Sequence, residues 1–130
     1  METRSNEATL LRPEGDRILN AALVEIDLNK FIAQLKRETT WTDSDRNSIT
    51  VYKSDNTSIV LIGLHAGAEL KEHTAKGSIH VQVLDGEIKF TTGNQTALLQ
   101  PGQMITLQEN KPHNVLAVKE SFFLLTLVSL

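Results

Sequence analysis

The sequence has 130 residues, with 13 lysines and arginines against 16 aspartates and glutamates, so its formal net charge is −3. This acidic balance, with no basic cluster, excludes nucleic acid as an expected partner. The absence of cysteine excludes a disulfide framework, a thiolate metal site and a cysteine nucleophile, and the length suits one domain with a proper core.

The N-terminal stretch and the longest apolar run both argue against a secreted or membrane-spanning protein. METRSNEATLLRPEGDR is polar and charged and lacks the apolar stretch of a secretory signal. FFLLTLV, near the C-terminus, is far shorter than the roughly 20 residues that a membrane helix needs. We therefore predict a cytoplasmic protein with small-molecule partners and no membrane partner.

The first part of the chain divides into an arm and a region that precedes the main β-structure. Pro13 and Gly15 interrupt residues 1–16, and no periodic pattern appears there, so we predict a flexible N-terminal arm. Residues 17–47 hold ILNAALVEI, which predicts a strand packed on the main body.

The same region holds the one predicted helix, in DLNKFIAQLKRE. Its apolar residues recur at helical spacing and form one stripe: Leu28, Phe31, Ile32 and Leu35. Asp27 suits the N-cap, and Lys36 and Arg37 suit the last turn, where the helix dipole favours cations. We expect this helix to pack on a sheet, with Trp41 as a packing anchor in the loop that follows.

From residue 48 onward the hydrophobic period changes to two. Short segments rich in β-branched and aliphatic residues follow one another: SITVYK, TSIVLIGL, SIHVQVL, EIKFTT, TALLQ, QMITLQ, HNVLAV and FFLLTLV. The turns between them are rich in Gly, Pro, Asn and Asp, and Asp85-Gly86 is the strongest hairpin signal because a tight primed turn needs positive φ. The pattern predicts an antiparallel sandwich or barrel over residues 48–130.

Two spaced motifs lie within this region. In the first, Gly67 is followed by five residues and then His73, and Gly86 closes the segment. In the second, PGQMITLQENKPHNVLA places His113 eleven residues after Gly102. These residue types and spacings resemble the two sequence motifs of the cupin superfamily.

The resemblance covers about residues 58–128 and implies several properties together. The fold it implies is all-β, a double-stranded β-helix (jelly roll), with the N-terminal helix packed on it. It also implies that His73 and His113 lie in one cavity and bind a small ligand there. A homodimer is implied as well, formed through an exposed sheet face or through the N-terminal residues 1–26.

The departures from the motifs bear on metal binding. Cupins that hold a divalent metal typically use three histidines and one glutamate, but here the second histidine position is Ala75 and the glutamate position is Ile79. Gln108, Asn110 and Ala117 also differ from the second motif. The resemblance therefore leaves His73 and His113 as an incomplete set of metal ligands, fewer than the three that a well-held metal needs.

Strand parity predicts which side chains near the site face inward. Ile79, Val81 and Val83 share one face, so His80 points away from the interior. His65, before Gly67, is expected at the surface.

The same alternation puts Glu69, Lys71 and His73 on one face of an extended segment and Glu72 on the other. Glu69 is nevertheless too far from His73 along the strand to act as a ligand. We interpret it as a solvated rim charge.

Three functions remain open. The first is a cupin that binds a small ligand through His73 and His113. The second is a metal-dependent cupin enzyme, an isomerase, oxygenase or decarboxylase, with a divalent metal on these histidines. The third is a metal-free enzyme in which one histidine is a general base. The missing ligands favour the first, and the sequence assigns no catalytic residue.

Overall fold

The structure, a computed structural model, describes residues 3–129; residues 1, 2 and 130, which the sequence analysis assigned to the arm and to the barrel, lie outside the described part. The elements in chain order are β1 (Arg4–Asn6), β2 (Arg17–Asn20), α1 (Leu28–Arg37), α2 (Thr39–Asp43), β3 (Arg46–Lys53), β4 (Thr57–Leu64), β5 (Glu69–His73), β6 (Ser78–Asp85), β7 (Ile88–Thr92), β8 (Gln95–Leu99), β9 (Met104–Leu107), β10 (His113–Ala117) and β11 (Ser121–Val128). Among the described residues, no helix is long and apolar enough to cross a membrane.

Two antiparallel sheets form the body of the protein. One has the strand order β3-β4-β11-β6-β9 and the other has the order β5-β10-β7-β8, so most neighbours are not consecutive in sequence. This interleaving of strands from both halves of the chain is the jelly-roll pattern. The all-β prediction is confirmed, although the two sheets remain separate rather than closing into one barrel.

Alternation along the strands builds two cores on opposite faces of the five-stranded sheet. Phe123, with Val81 and Val83 from β6, points between the sheets into the larger core. Phe122, its neighbour, points the other way into a second core, which also holds Trp41. Because successive side chains of a strand face opposite ways, β11 can supply both cores.

Helix α1 covers the second core. Its N-cap is Asp27, whose side chain accepts a hydrogen bond from the backbone N–H of Lys30 at 3.2 Å, and Leu35 is fully buried on its apolar stripe. The predicted helix and its N-cap are therefore confirmed.

One helix was predicted, but the described residues contain two. Trp41 lies in α2 rather than in a loop, and the ring packs against Phe122 with 5.3 Å between centroids. The polar stretch RETTWTD carries no apolar stripe, so burial of the tryptophan is the tertiary contact that favours this short helix.

The N-terminal region contains a shorter strand than its apolar residues predicted. Of the predicted strand in ILNAALVEI, only the first part lies in β2, which pairs with β1 as a separate two-stranded sheet. Strand β3 begins at Arg46, two positions before the expected start of the main β-structure. The division into residues 1–16, 17–47 and 48–130 stays a prediction.

A buried polar network holds the N-terminal region to the body. Glu38, just after α1, accepts hydrogen bonds from Arg12 at 3.0 Å through each carboxylate oxygen, from Gln34 at 3.1 Å and from Asn47 at 3.0 Å. Burial alone would raise the pKa of Glu38. The hydrogen bonds from these three side chains and the charge of Arg12 outweigh burial and hold the pKa below its usual range.

We expect Glu38→Gln to lower the free energy of unfolding by about 2 kcal/mol at pH 7, because the guanidinium of Arg12 loses its anionic partner. The folded-state pKa of Glu38 is below its unfolded value, so the wild-type advantage is present above the unfolded pKa and is lost as the pH falls through the folded one. Urea unfolding of both proteins across this range measures the difference, which should shrink toward acid.

The matched control is Glu14→Gln, which removes an exposed ion pair with Arg37 and should cost less than about 0.5 kcal/mol at any pH. If Glu38→Gln lowers the free energy of unfolding by the same amount at neutral and acidic pH, the ionised carboxylate of Glu38 does not stabilise the fold in the way proposed.

Candidate functional site

The pairing of β5 with β10 brings two histidines together at one end of the sandwich. His73, the last residue of β5, lies opposite His113, the first residue of β10. Their ring centroids are 4.3 Å apart and the rings are tilted by 59°. The structure thus brings together the two residues that the sequence singled out, although they are 40 positions apart in the chain.

A β-bulge decides which way His73 points. His113 pairs with His73 and Val115 pairs with Leu70, so three steps along β5 match two along β10. The extra residue puts Leu70 and His73 on the same, inward face, which unbroken alternation would not do.

The expectation that Glu69, Lys71 and His73 share a face is therefore wrong. Glu69 lies opposite Leu116, on the outward face of the sheet, and is exposed. Its interpretation as a solvated charge agrees with this placement, and the carboxylate does not face His113.

The two imidazoles differ in burial. His113 is 2% exposed, and its ring stacks on Phe90 of β7 with 5.5 Å between centroids and 10° between planes. His73 is exposed. One ring therefore lies in the core, and the other lies on its solvent side.

Both rings have the same backbone partner, two positions earlier in the chain. Nδ1 of His73 lies 2.8 Å from the carbonyl oxygen of Lys71, and Nδ1 of His113 lies 3.0 Å from that of Lys111. A carbonyl oxygen only accepts, so Nδ1 carries the hydrogen in both rings. In the neutral form, each Nε2 then has a free lone pair.

The second ring nitrogen of His113, Nε2, has no hydrogen-bond partner among residues 3–129. It is not among the completely buried unpaired side-chain atoms of this part of the chain, which are limited to Oδ1 of Asn20. A nearly buried ring with one unpaired nitrogen is an arrangement suited to holding a ligand.

Aliphatic side chains occupy the motif positions next to the pair in sequence and their cross-strand partners. Ala75 stands at the position of the second histidine, and Leu107 and Leu127 are the cross-strand partners of Ile79, which stands at the position of the glutamate; Ala75, Leu107 and Leu127 all pack against the core. We call the group formed by His73, His113 and these three residues the mouth.

The other two histidines lie away from the mouth. His80 faces outward as parity predicted, with Nε2 3.3 Å from the hydroxyl of Ser78. His65 was expected at the surface, but it is partly buried: its ring stacks on Trp41 at 3.7 Å, and Nε2 lies 2.7 Å from the Trp41 carbonyl oxygen. No sequence pattern indicated this contact, since the two residues lie on separate elements.

Comparisons with known proteins complete the description. No protein-family model and no curated protein matches the sequence. Among solved structures, a conserved protein of unknown function from Streptococcus pyogenes is 26% identical, with a TM-score of 0.68, over 86% of this chain and 91% of that one. An RmlC-like cupin from Desulfovibrio desulfuricans is 29% identical, with a TM-score of 0.60, over 66% of this chain and 84% of that one.

A cupin superfamily protein from Desulfitobacterium hafniense shares the fold, at 21% identity and a TM-score of 0.63, over 65% of this chain and 77% of that one. The chain is a member of the cupin superfamily. The family was expected from the spacing around His73 and His113, and it is confirmed.

The mouth does not fit the metal that many cupins hold. At the motif positions for the second histidine and the glutamate, this cupin has Ala75, which packs against the core, and Ile79, which is buried. The described residues contain no group of three or more histidine, cysteine or acidic side chains that could hold a metal ion. Two imidazoles alone fall short of the three or more protein ligands that divalent metals need.

We expect the ring tautomers to differ between the mouth and the rest of this cupin. Above neutral pH, His73 and His113 should have the proton on Nδ1. His65 should have it on Nε2, since its Nε2 faces a carbonyl oxygen. Long-range ¹H–¹⁵N NMR of the imidazoles distinguishes the two forms.

His65 is the internal control for this measurement, because the two tautomers then appear in one spectrum. An Nε2–H signal from His113 would show that the Lys111 carbonyl does not orient the ring.

Proposed function

We propose that this cupin binds a small organic acid at the mouth, with the polar head on His73 and His113. The observation that carries the proposal is the free Nε2 of the nearly buried His113, beside a second imidazole whose Nδ1 is also held by a backbone carbonyl. The apolar part of the ligand would contact Ala75, Leu107 and Leu127.

The chemistry of the pair favours a particular head group. A bound acid would share its own proton with the two rings, and it would supply one proton only, since two positive rings with centroids 4.3 Å apart would repel each other. The pair then has one Nε2–H that donates and one Nε2 that accepts. An acid with a hydroxyl beside its carboxylate complements both, since the carboxylate accepts and the hydroxyl donates.

The surroundings favour binding over catalysis. The buried polar residues of the described part include one carboxylate, Glu38, and it lies in the network with Arg12, not beside either mouth histidine. A general base is commonly oriented by a carboxylate, whereas His73 and His113 have only neutral carbonyl partners. We therefore propose a ligand-binding role and assign no catalytic residue.

The test uses 2-hydroxyhexanoate as the probe, followed by calorimetry. We expect measurable binding, and we expect His113→Ala to weaken it about 10- to 100-fold, as for a lost hydrogen bond to a charged group.

Two controls keep this test specific. His80→Ala, on the outward face, should bind the probe like the wild type. The amide 2-hydroxyhexanamide should bind at least about 10-fold more weakly than the acid. Equal binding of acid and amide, or an equal loss in His80→Ala, would overturn the proposal.

A metal-dependent cupin enzyme is the alternative, and one observation favours it. Histidines that ligate metals usually donate the other ring N–H to a carbonyl or carboxylate, as His73 and His113 do. The number of protein ligands argues against it, because the side chains of Ala75 and Ile79 have no atom that can bind a metal.

Elemental analysis of protein purified without an affinity tag decides between the two. We expect less than one equivalent of any divalent transition metal, because two ligands bind weakly. Stoichiometric metal that is lost in both His73→Ala and His113→Ala would instead establish the metal-dependent alternative.

The cytoplasmic location is likewise a proposal. Its support is the absence of cysteine, which is compatible with a reducing compartment. Fractionation of cells that produce the protein tests it.

A further inference from the structure

The loop between β9 and β10, residues 108–112, leads directly into His113. The carbonyl oxygen of Lys111, in this loop, lies 3.0 Å from Nδ1 of His113, and Pro112 separates the two residues. Which nitrogen of an imidazole carries the hydrogen is set by the hydrogen bond that the ring makes. The direction of the Lys111 carbonyl therefore decides whether Nε2 of His113 is left unpaired, and this direction depends on what holds the loop.

Asn110 joins the middle of the loop to Ala75, a residue of the mouth. Its backbone N–H donates to the carbonyl oxygen of Ala75 at 2.9 Å. The backbone of Asn110 has a φ of 60°, in the left-handed region, which asparagine adopts more readily than most residues. This bond fixes the loop to the segment between β5 and β6, but it does not reach the residue next to His113.

Thr92, the last residue of β7, holds the end of the loop. Its hydroxyl donates to the carbonyl oxygen of Pro112 at 2.6 Å. Because side chains alternate along a strand, Thr92 lies on the same face as Phe90, on which the ring of His113 stacks. β7 therefore acts on His113 in two ways, through the Phe90 ring and through the backbone that precedes the histidine.

Pro112 connects the carbonyl groups of Lys111 and Pro112 through one free torsion. Peptide groups are planar, so these two carbonyls can turn relative to each other only about φ and ψ of Pro112. The pyrrolidine ring fixes φ at about −65°, and ψ is the torsion that remains. A hydrogen bond to the Pro112 carbonyl restrains ψ and, with it, the direction of the Lys111 carbonyl.

We propose that Thr92 is a positioning residue for His113. Its hydroxyl holds the Pro112 carbonyl, the proline transmits this restraint to the Lys111 carbonyl, and that carbonyl keeps the hydrogen on Nδ1. Nε2 is then left unpaired for the acid that the mouth is proposed to bind, so the consequence for binding rests on the proposed function.

The segment before His73 lacks this restraint. Glu72 stands between Lys71 and His73, where the other segment has Pro112, and no ring fixes its φ. His73 is also exposed, whereas His113 is nearly buried. The restraint by Thr92 and Pro112 therefore concerns the buried ring.

Long-range ¹H–¹⁵N NMR of the imidazoles, without any ligand, tests the restraint. Thr92→Val removes the hydroxyl and keeps the β-branched shape. We expect His113 to change from the Nδ1–H form to a mixture of both tautomers, because a carbonyl that can turn no longer selects one of them. Thr92→Ser retains the hydroxyl and should retain the wild-type spectrum.

The matched control is Thr91→Val. The hydroxyl of Thr91 lies 3.2 Å from that of Thr96 on β8 and makes no bond to the loop, so its removal should leave His113 in the Nδ1–H form. Unchanged His65 signals in the same spectra show that each variant is folded. The proposal is overturned if His113 keeps the Nδ1–H form in Thr92→Val, or loses it equally in Thr91→Val.

Calorimetry with 2-hydroxyhexanoate separates this proposal from the proposed function. We expect Thr92→Val to bind the probe about 5-fold more weakly than the wild type, as for one lost neutral hydrogen bond, and Thr92→Ser to bind it equally. A tautomer change in Thr92→Val together with no binding by the wild type would support the role of Thr92 and contradict the proposed function alone. If the wild type binds the probe and Thr92→Val binds it equally well, the restraint does not serve the mouth and the proposal is overturned.

Discussion

The antiparallel pairing of β5 with β10 is the contact on which the candidate site depends. Each strand belongs to a different sequence motif, and only their backbone hydrogen bonds bring His73 beside His113. The bulge in this pair matters as much as the pairing itself. Without one extra residue in β5, His73 would lie on the opposite face of the sheet from His113 whenever Leu70 faced the core, since side chains alternate along a regular strand.

The backbone sets the chemistry of the pair as well as its position. The carbonyls of Lys71 and Lys111 each accept from an Nδ1, so both rings have Nε2 free for a ligand. Stacking on Phe90 keeps one of them fixed. With aliphatic side chains where other cupins have metal ligands, the pair has fewer ligands than a divalent metal needs.

The helical side of the protein has a different organisation. There the second core binds α1 and α2 to the sheet by apolar contact around Trp41 and Phe122, while the N-terminal segment is attached through Arg12, Arg17 and the buried carboxylate of Glu38. Polar attachment leaves apolar side chains free to face outward. The mouth and the exposed leucines of the N-terminal region, Leu10, Leu11 and Leu23, therefore lie in separate parts of the chain.

The sequence by itself determined the periodic features: the β-rich fold, helix α1 with its N-cap at Asp27, and the inward direction of Ile79. Each of these follows from spacing along one element, where 3.6-residue and two-residue periods directly give the face. The tertiary structure alone decided the rest: the bulge that turns His73 inward, the short helix around Trp41, and the outward leucines of the N-terminal segment. These depend on contacts between residues far apart in the chain, and no local period encodes such contacts.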